Sequence, residues 1–466
     1  MDISKDPHQR GSYCATPRRY APRSCKPWDA FQRALRGLLQ ATQRVPSNVK
    51  SAAHTTTHAP EPAGRAKGET PLRAEGSTHC RLPVGRLAPR TGEMAEGFEH
   101  EILGRVALQA MAEAGVSPRD IHSAVFTSPP PTTRQLGFGS FMAAQLGLRL
   151  RGQLAEVQEM GITGGLAFDQ AAADVMLGRA DFALALGVAI QSGADSGMAM
   201  DHSVRVVGDV DFQSPFGLTP IAWYAFDAAR YMHETGATRA DIAHVALKSR
   251  AFARHNPLAQ FREPLNLDEV LRQPMVVEPL GRLEVPARAD GAICMVLCSP
   301  ERARELGVPA VVVGGRGFAS DGHHQMGDHH HDITAFPAAH GAAAAALAEA
   351  RCSISDIDVA ELYAPCTITE VLVSEALGMF PRGHGAAAAR EGRTGPGGDR
   401  PLNTSGGCLA RGHPPSLTAL YGLLELREQL LGRAGVRQLQ SVQCGLHICE
   451  LGNYNAALAH VVERLA

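Results

Sequence analysis

Aromatic residues are scarce in this sequence, since Phe, Trp and Tyr together make up 5% of its 466 residues. Net charge is also almost absent, with a formal value of −2 at pH 7. That balance excludes a strong general attraction to nucleic acid or to an acidic membrane surface. The sequence has no apolar run of about 18 residues, so no membrane span is expected. Its N-terminus also lacks the apolar core of a secretory signal.

Cysteines are few and scattered. The ten cysteines form no Cys-x-x-Cys pair, which argues against a compact zinc or redox motif. Their density is too low for a disulfide scaffold. We therefore expect reduced thiols in a cytoplasmic protein.

The first 93 residues differ in composition from the rest. Residues 1–93 are rich in Arg, Pro, His, Thr and Ser and show no sustained apolar period. This predicts a disordered or atypical N-terminal extension, with one short amphipathic helix at Trp28–Leu39. A misassigned start would give the same pattern, and both interpretations stay open.

From residue 94 onward, apolar helical patterns alternate with short buried-strand patterns. This alternation predicts an α/β sheet with helices on its faces. Around 190–280 the rhythm gives way to polar loops, Pro-rich turns and two helical patterns, which indicates an inserted loop subdomain. The predicted helices are Glu99–Ala114, Gln135–Leu146, Leu166–Leu177, Ile221–Thr235, Arg239–Phe252, Glu301–Leu306 and Ala338–Ala350; the predicted strands are Ser123–Ser128, Leu154–Glu159, Asp181–Val188, Arg288–Cys298, Val308–Gly315 and Val359–Tyr363.

Two segments about 236 residues apart follow the same pattern. Ala112–Phe126 and Ala348–Leu362 each run from a helix end through a cap and an Ile into a strand. Such a pattern predicts an internal duplication. We expect one half at 94–300, including the loop subdomain, and a second half at 301–466.

The stretch PLNTSGGCLARGHPPSL carries the strongest chemical signal. Asn403 leads into Gly406 and Gly407, and Gly412 precedes His413 and a proline. Glycines allow close approach of backbone N–H groups, and a helix start favours negative charge. The loop is therefore a candidate for holding an acyl oxygen that becomes an oxyanion. A Gly-rich turn with an incidental surface histidine is the alternative.

The same residues resemble the thiolase superfamily, in which an Asn-x-x-Gly-Gly run leads into Gly-His-Pro. The segments Ser214–Leu265, Asp290–Gly307 and Asp356–Gly378 resemble the branch that contains sterol-carrier-protein-x-type and lipid-transfer-type thiolases. The resemblance implies an αβαβα layered fold built from two duplicated halves. It also implies an enzyme that acts on acyl-CoA thioesters, with coenzyme A arriving as part of the substrate and no resident cofactor.

The sequence departs from the family at the nucleophile. Where the family has a cysteine before an Ala-rich helix, this chain has Gly161. Glycine offers no side chain to carry an acyl group, so the usual covalent acyl-Cys route is not expected.

Two further positions are candidate acid/base groups. Tyr363 stands where the family has Asn or His, and lipid-transfer-type retro-aldolases resemble this arrangement. With His413, Tyr363 is a candidate for removing a hydroxyl proton and stabilising an enolate. Cys449 lies near the place of the family's proton-transfer cysteine. The alternatives are a buried tyrosine bonded to backbone and a small buried thiol.

These features lead to two functional hypotheses. The first is a thiolase-like enzyme that cleaves or forms a carbon–carbon bond without a covalent acyl-Cys, as in a retro-aldol reaction. The second is a catalytically inactive subunit that binds a partner protein. The resemblance implies a homodimer and a small OB-fold and zinc-ribbon partner. The histidines at 323, 324 and 329–331 are expected to form a polar loop, not a metal site.

Overall fold

The structure is a computed structural model that describes residues 79–81, 98–129, 133, 135–191, 205, 210–211, 213–286, 288–321, 332–452 and 454–465. These residues belong to one compact unit, Leu72–Ala466. The predicted helix Trp28–Leu39 and the histidine-rich loop at 323–331 lie outside the described residues.

The first half alternates strands and helices as predicted. Its elements are β1 (His79–Arg81), α1 (Glu99–Ala114), β2 (Ser123–Thr127), α2 (Phe138–Gln145), β3 (Leu154–Val157), α3 (Thr163–Met176) and β4 (Phe182–Ala189). Helix α1 ends at Gly115, whose φ of 68° closes the helix with backbone bonds to Ala112 and Met111.

An insertion separates β4 from the last strand of this half. It contains α4 (Pro220–Thr235), α5 (Arg239–Ala253), α6 (Leu267–Arg272) and a hairpin of β5 (Met275–Val277) and β6 (Leu280–Gly281). Strand β7 (Gly291–Cys298) then returns to the sheet. Helix α5 begins with a capping box, in which Thr238 accepts from the Asp241 N–H and the Asp241 carboxylate accepts from the Thr238 N–H.

The second half repeats the first. Its elements are α7 (Pro300–Glu305), β8 (Val311–Ser320), α8 (Pro337–Ala350), β9 (Val359–Leu362), α9 (Thr367–Ala376), α10 (Gly385–Arg390), α11 (Gly407–Ala410), α12 (Thr418–Leu430), β10 (Cys444–Leu451) and β11 (Ala456–Arg464).

The sheet topology shows the duplication directly. The strand order is β3-β2-β4-β7-β1-β8-β11-β10-β9. In the first half β2 is parallel to β4, β4 antiparallel to β7, and β7 antiparallel to β1. In the second half β9, β10, β11 and β8 repeat that pattern, and a parallel bridge between Ala360 and Leu402 takes the place of β3. The predicted duplication is confirmed.

Strand β1 was not predicted, because residues 1–93 were assigned to an extension outside the fold. The structure instead pairs Cys80 with Leu297 of β7 on one side and with Val311 of β8 on the other. Strand β1 thus joins the two halves into one nine-stranded sheet. Three residues are too few to show a period in the sequence.

Buried side chains fall into three main clusters that define the layers. One lies between α1 and the outer face of β2, β4 and β7. A second surrounds α3 and α12, which pack against each other between the two halves. The third lies between the strands β9, β10 and β11 on one side and α8, α9 and the inserted helices on the other. Strands β2, β4 and β7 form one β layer, and β9, β10 and β11 form the other, with α3 and α12 between them. This is the predicted αβαβα arrangement, and it brings the first turns of α3 and α12 together.

Most differences from the predicted elements are at their ends. Helix α3 begins three residues earlier than predicted, at Thr163, and β8 runs five residues further, to Ser320. The predicted strand ended at Gly315 and its extension contains Gly317; a methyl group at these positions would lie 2.0 Å from the Ala346 carbonyl and 1.9 Å from the Ala342 carbonyl of α8, respectively. The glycines that weakened the strand pattern are therefore what lets α8 pack on the strand.

Candidate active site

The candidate site lies where the starts of α3 and α12 meet. A helical turn at Met160–Ile162 leads into α3, and a turn at Pro415–Leu417 leads into α12. The two starts are in contact, since a methyl group at Gly164 would lie 2.9 Å from the Ser416 carbonyl. Gly161 lies in the turn before α3, and His413 lies two residues before the turn that leads into α12, so each half contributes one of these positions to the site.

Tyr363 and His413 form the central contact of the site. The Tyr363 hydroxyl lies 2.8 Å from His413 Nε2, and the two rings meet edge to face with centroids 5.3 Å apart. Tyr363 follows β9 directly and is buried, whereas His413 is half-buried. The structure therefore brings together two side chains that are 50 residues apart in sequence.

Both groups are neutral near pH 7. Burial raises the pKa of Tyr363 well above its ordinary value, and neighbouring Cys408 and Glu450 raise it further. Burial and, second to it, the positive charge of Arg411 lower the pKa of His413 to about 3. Tyr363 thus keeps its O–H as a donor, and a neutral imidazole can accept that proton at Nε2.

The space beside Gly161 is occupied by Tyr363. A methyl group at Gly161 would lie 2.9 Å from Cζ and 3.0 Å from the hydroxyl oxygen of Tyr363. It would also lie 2.4 Å from the backbone carbonyl of Glu450. The phenol therefore fills the volume that a nucleophilic side chain at Gly161 would need.

The Tyr363 backbone is held from both sides. Its N–H donates to the Ile448 carbonyl at 2.9 Å, and its carbonyl accepts from the Tyr454 hydroxyl at 2.7 Å. The alternative interpretation expected the phenol hydroxyl to bond backbone, whereas it bonds the His413 side chain.

Three residues around Tyr363 were missed by sequence reasoning. The Glu450 carboxylate accepts from the Tyr224 hydroxyl at 2.5 Å and from the Tyr454 N–H at 2.8 Å. Tyr454 in turn bonds the Tyr363 carbonyl. Burial, followed by the Glu450 charge, raises the pKa of Tyr224 well above its ordinary value. Residues 224 and 450 are 226 positions apart, so no local motif could have linked them.

Both polar atoms of the Asn403 side chain form hydrogen bonds within the protein. Its amide oxygen accepts from the Leu362 N–H at 2.8 Å, and its amide nitrogen donates to Glu370 at 2.7 Å. The buried Lys248 ammonium donates to the same Glu370 oxygen and to the Leu402 carbonyl. Asn403 thus fixes the loop to the end of β9, which favours the structural role over contact with substrate.

Glycines in this loop meet steric and conformational demands. Gly406 has a φ of 96°, and a methyl group there would lie 2.7 Å from the Ala253 side chain. Gly412 has a φ of 123° and packs against Ala289 and Gln260. Residues other than glycine rarely adopt such φ angles. Gly407 opens the short helix α11. These residues shape the turn that presents His413, and their proposed contact with a substrate oxygen stays a prediction.

Cys449 lies in the same small apolar cluster as Tyr363 but points elsewhere. Its side chain is fully buried, and its thiol donates to the Leu458 carbonyl at 3.5 Å. Burial raises the pKa of this thiol well above its ordinary value, as do the charges of Asp169 and Glu450. The thiol is therefore protonated and bonded to backbone, and its acid/base role stays a prediction. Cys366 and Cys408 are likewise buried, as packing residues would be.

No metal site is found among the described residues, which contain no group of three or more His, Cys, Asp or Glu side chains arranged for an ion. Within the same residues, no helix is long and apolar enough to cross a membrane.

Comparison with known proteins identifies the class. Residues 80–301 match the family model for the thiolase N-terminal domain, and residues 319–464 match the model for the thiolase C-terminal domain-like family. The chain belongs to the thiolase superfamily.

Individual relatives include both acyltransferases and aldolases. An acetyl-CoA acetyltransferase of Methanothermobacter thermautotrophicus is 30% identical over 78% of this chain and 94% of its own length. A steroid side-chain-cleaving aldolase of Thermomonospora curvata is 31% identical over 68% of this chain and 82% of its own length. A solved Ltp2-ChsH2(DUF35) aldolase superposes with a TM-score of 0.71 at 26% identity, covering 84% of this chain and 98% of that chain. The predicted branch within the superfamily is confirmed.

Proposed function

We propose that this chain catalyses retro-aldol cleavage of a β-hydroxyacyl-CoA thioester, releasing a carbonyl compound and a shortened acyl-CoA without a covalent acyl-enzyme. The observation that carries the proposal is the position of the Tyr363 phenol. It fills the space next to Gly161 and bonds His413 at 2.8 Å. The similarity to two aldolases supports the same reaction class.

The first step is removal of the substrate hydroxyl proton. Burial disfavours both a free tyrosinate and a free imidazolium, so neither group alone is a good base in the resting site. A concerted transfer avoids the tyrosinate: the substrate hydroxyl gives its proton to Tyr363 as Tyr363 gives its own to His413 Nε2. The imidazolium forms only as negative charge develops on the substrate, and that charge offsets the cost of burying it.

Carbon–carbon cleavage then leaves a thioester enolate. The bond between the α and β carbons breaks, its electron pair moves to the α carbon and thioester oxygen, and the β carbon becomes a carbonyl. Protonated His413 lies beside the developing negative charge and stabilises it. The same proton returns through Tyr363 to the α carbon, so no external proton is needed.

The test uses three substrates. A linear β-hydroxyacyl-CoA and a steroid β-hydroxyacyl-CoA probe aldol cleavage, and acetoacetyl-CoA with free CoA probes thiolysis. The proposal expects cleavage of a β-hydroxyacyl-CoA with no acyl adduct on the intact protein by mass spectrometry. Thiolysis through an acyl adduct would contradict it. No turnover of any substrate by the wild-type chain, alone or with its partner, would favour the inactive-subunit hypothesis.

We also propose that the working form is a cytoplasmic homodimer with a bound partner protein. Strand β3 lies at the edge of the sheet with Leu154 exposed, and a cleft of about 500 Å³ lies nearby between α3 and β8. An exposed sheet edge is a ready site for pairing with a second chain. The Ltp2-ChsH2(DUF35) aldolase is named for two components, which supports testing a partner protein in the same assays. The family resemblance implies a small OB-fold and zinc-ribbon partner.

A further inference from the structure

A second cluster of ionisable groups lies beneath the loop that carries His413. Its centre is Glu361, a buried residue of β9 located two positions before Tyr363. The Glu361 carboxylate accepts from the Ser405 N–H at 2.9 Å and from the Ser405 hydroxyl at 2.7 Å. Both groups are donors, so an ionised carboxylate suits them.

Ser405 links Glu361 to Arg411 through hydrogen bonds. The Ser405 hydroxyl oxygen accepts from Arg411 Nη1 at 3.2 Å and from the Gly407 N–H at 3.1 Å. Arg411 is itself buried, and its Nη1 lies 3.7 Å from Glu361. Arg411 is two residues before His413. One carboxylate therefore holds both ends of the loop segment that leads to His413.

We propose that Glu361 is a positioning residue for the catalytic pair: its ionised carboxylate holds Ser405 and Arg411 and so fixes the loop that presents His413 to Tyr363. This inference rests on the proposed function for its kinetic test, but not for its structural test.

Titratable or charged groups face Glu361 from each neighbouring element. Arg411 approaches from the loop, and Glu425 from α12 shares the Thr404 hydroxyl with it and pairs with Arg437. His447 of β10 is in register with Glu361, and Lys248 of α5 attracts it electrostatically. Burial, followed by the charge of Glu425, raises the pKa of Glu361 to about 7, although Arg411 and the hydrogen bonds from Ser405 act in the opposite direction. Protonation of Glu361 near neutral pH would weaken its hold on Ser405.

The kinetic experiment compares Glu361→Gln with Glu425→Gln in the full chain. In the wild type, kcat should fall as pH decreases through about 7. The Glu361→Gln variant should lose this dependence and show at least a tenfold lower kcat at pH 8, with KM within twofold. The Glu425→Gln variant should keep the dependence but shift it to lower pH, because a charge that raises the pKa of Glu361 is gone. An unchanged pH profile in Glu361→Gln would overturn the proposal.

A second measurement does not need turnover. Diethyl pyrocarbonate modification of His413 is followed by peptide mass spectrometry, relative to exposed His340. At pH 8, Glu361→Gln should change the His413 rate severalfold, while Glu425→Gln should match the wild type. Equal rates in all three proteins would contradict the positioning role even if the chain proved inactive. If Glu361→Gln fails to fold by circular dichroism, Ser405→Ala replaces it and should change kcat and the His413 rate in the same direction; no change in either would likewise contradict the proposal.

Discussion

A methyl group placed on Gly161 would lie 3.0 Å from the hydroxyl oxygen of Tyr363. The two residues therefore share one space, and a side chain at position 161 excludes the phenol from its present position. A nucleophilic side chain at position 161 and the Tyr363 phenol therefore exclude each other. A cysteine placed at 161 would displace the phenol.

Gly161→Ala tests this shared space. The added methyl also meets the Glu450 carbonyl, so the variant should lose about 1–3 kcal/mol of stability and most of its aldol activity. Thermal unfolding and kcat measure the two effects. Gly104→Ala is the control, because a methyl group there meets nothing within 4 Å and lies in helix α1, where Ala is favoured. A fully active and stable Gly161→Ala protein would contradict the packing argument.

Tyr363→Phe removes the hydroxyl and keeps the ring. We expect kcat to fall about 10²- to 10⁴-fold, because the proton can no longer pass to His413, while the fold is retained. Steady-state kinetics and circular dichroism check both points. Tyr231→Phe is the matched control, since it removes a hydroxyl that bonds Glu375 away from the site. Equal activity of the two variants would count against a role for the phenol.

Folding stability should depend on the ionisation of His413. Its folded pKa of about 3 lies below the ordinary value of 6.5, so the unfolded chain binds the extra proton first. This contribution is fully present above pH 6.5 and is lost as pH falls towards 3. At pH 5 the loss is about 1–2 kcal/mol, reduced where solvent reaches the ring. Denaturant unfolding at pH 5 and 7.5 should show a smaller difference in His413→Asn than in the wild type; an identical difference would contradict the assignment.

The buried ion pair between Lys248 and Glu370 should contribute far more to folding stability than an exposed ion pair. Lys248→Met leaves a buried carboxylate without its cation and should cost about 3–5 kcal/mol. The exposed pair of Arg272 and Asp268 provides the comparison, and Arg272→Met should cost less than about 1 kcal/mol. Urea unfolding of the two variants measures both. Comparable costs would show that the loop anchor at Leu402 and Asn403 is not essential.

Much of the fold was accessible from the sequence because helix and strand periods are strong in both halves. The paired segments Ala112–Phe126 and Ala348–Leu362 revealed the duplication, and the strand order confirms it. By contrast, β1 is too short to have a period, and the glycines of β8 hid its last five residues.

The candidate site was harder to predict from the sequence than the fold. The sequence indicated Tyr363 and His413 separately, through motifs on either side of a 50-residue gap, but not the bond between them. The contacts of Glu450 with Tyr224 depend on chain segments 226 residues apart. Glu361 gave no signal, because one carboxylate in a buried strand looks like any other until the groups around it are known.

Strand β1 has a practical consequence for defining the minimal active chain. A protein shortened to begin at Met94 would retain each site residue discussed above, including Tyr363 and His413. It would lose the hydrogen bonds by which Cys80 connects β7 to β8, and with them the seam between the two repeats. Because the site is assembled from α3 of one repeat and α12 of the other, a break at that distant seam would disturb the meeting of the two helix starts.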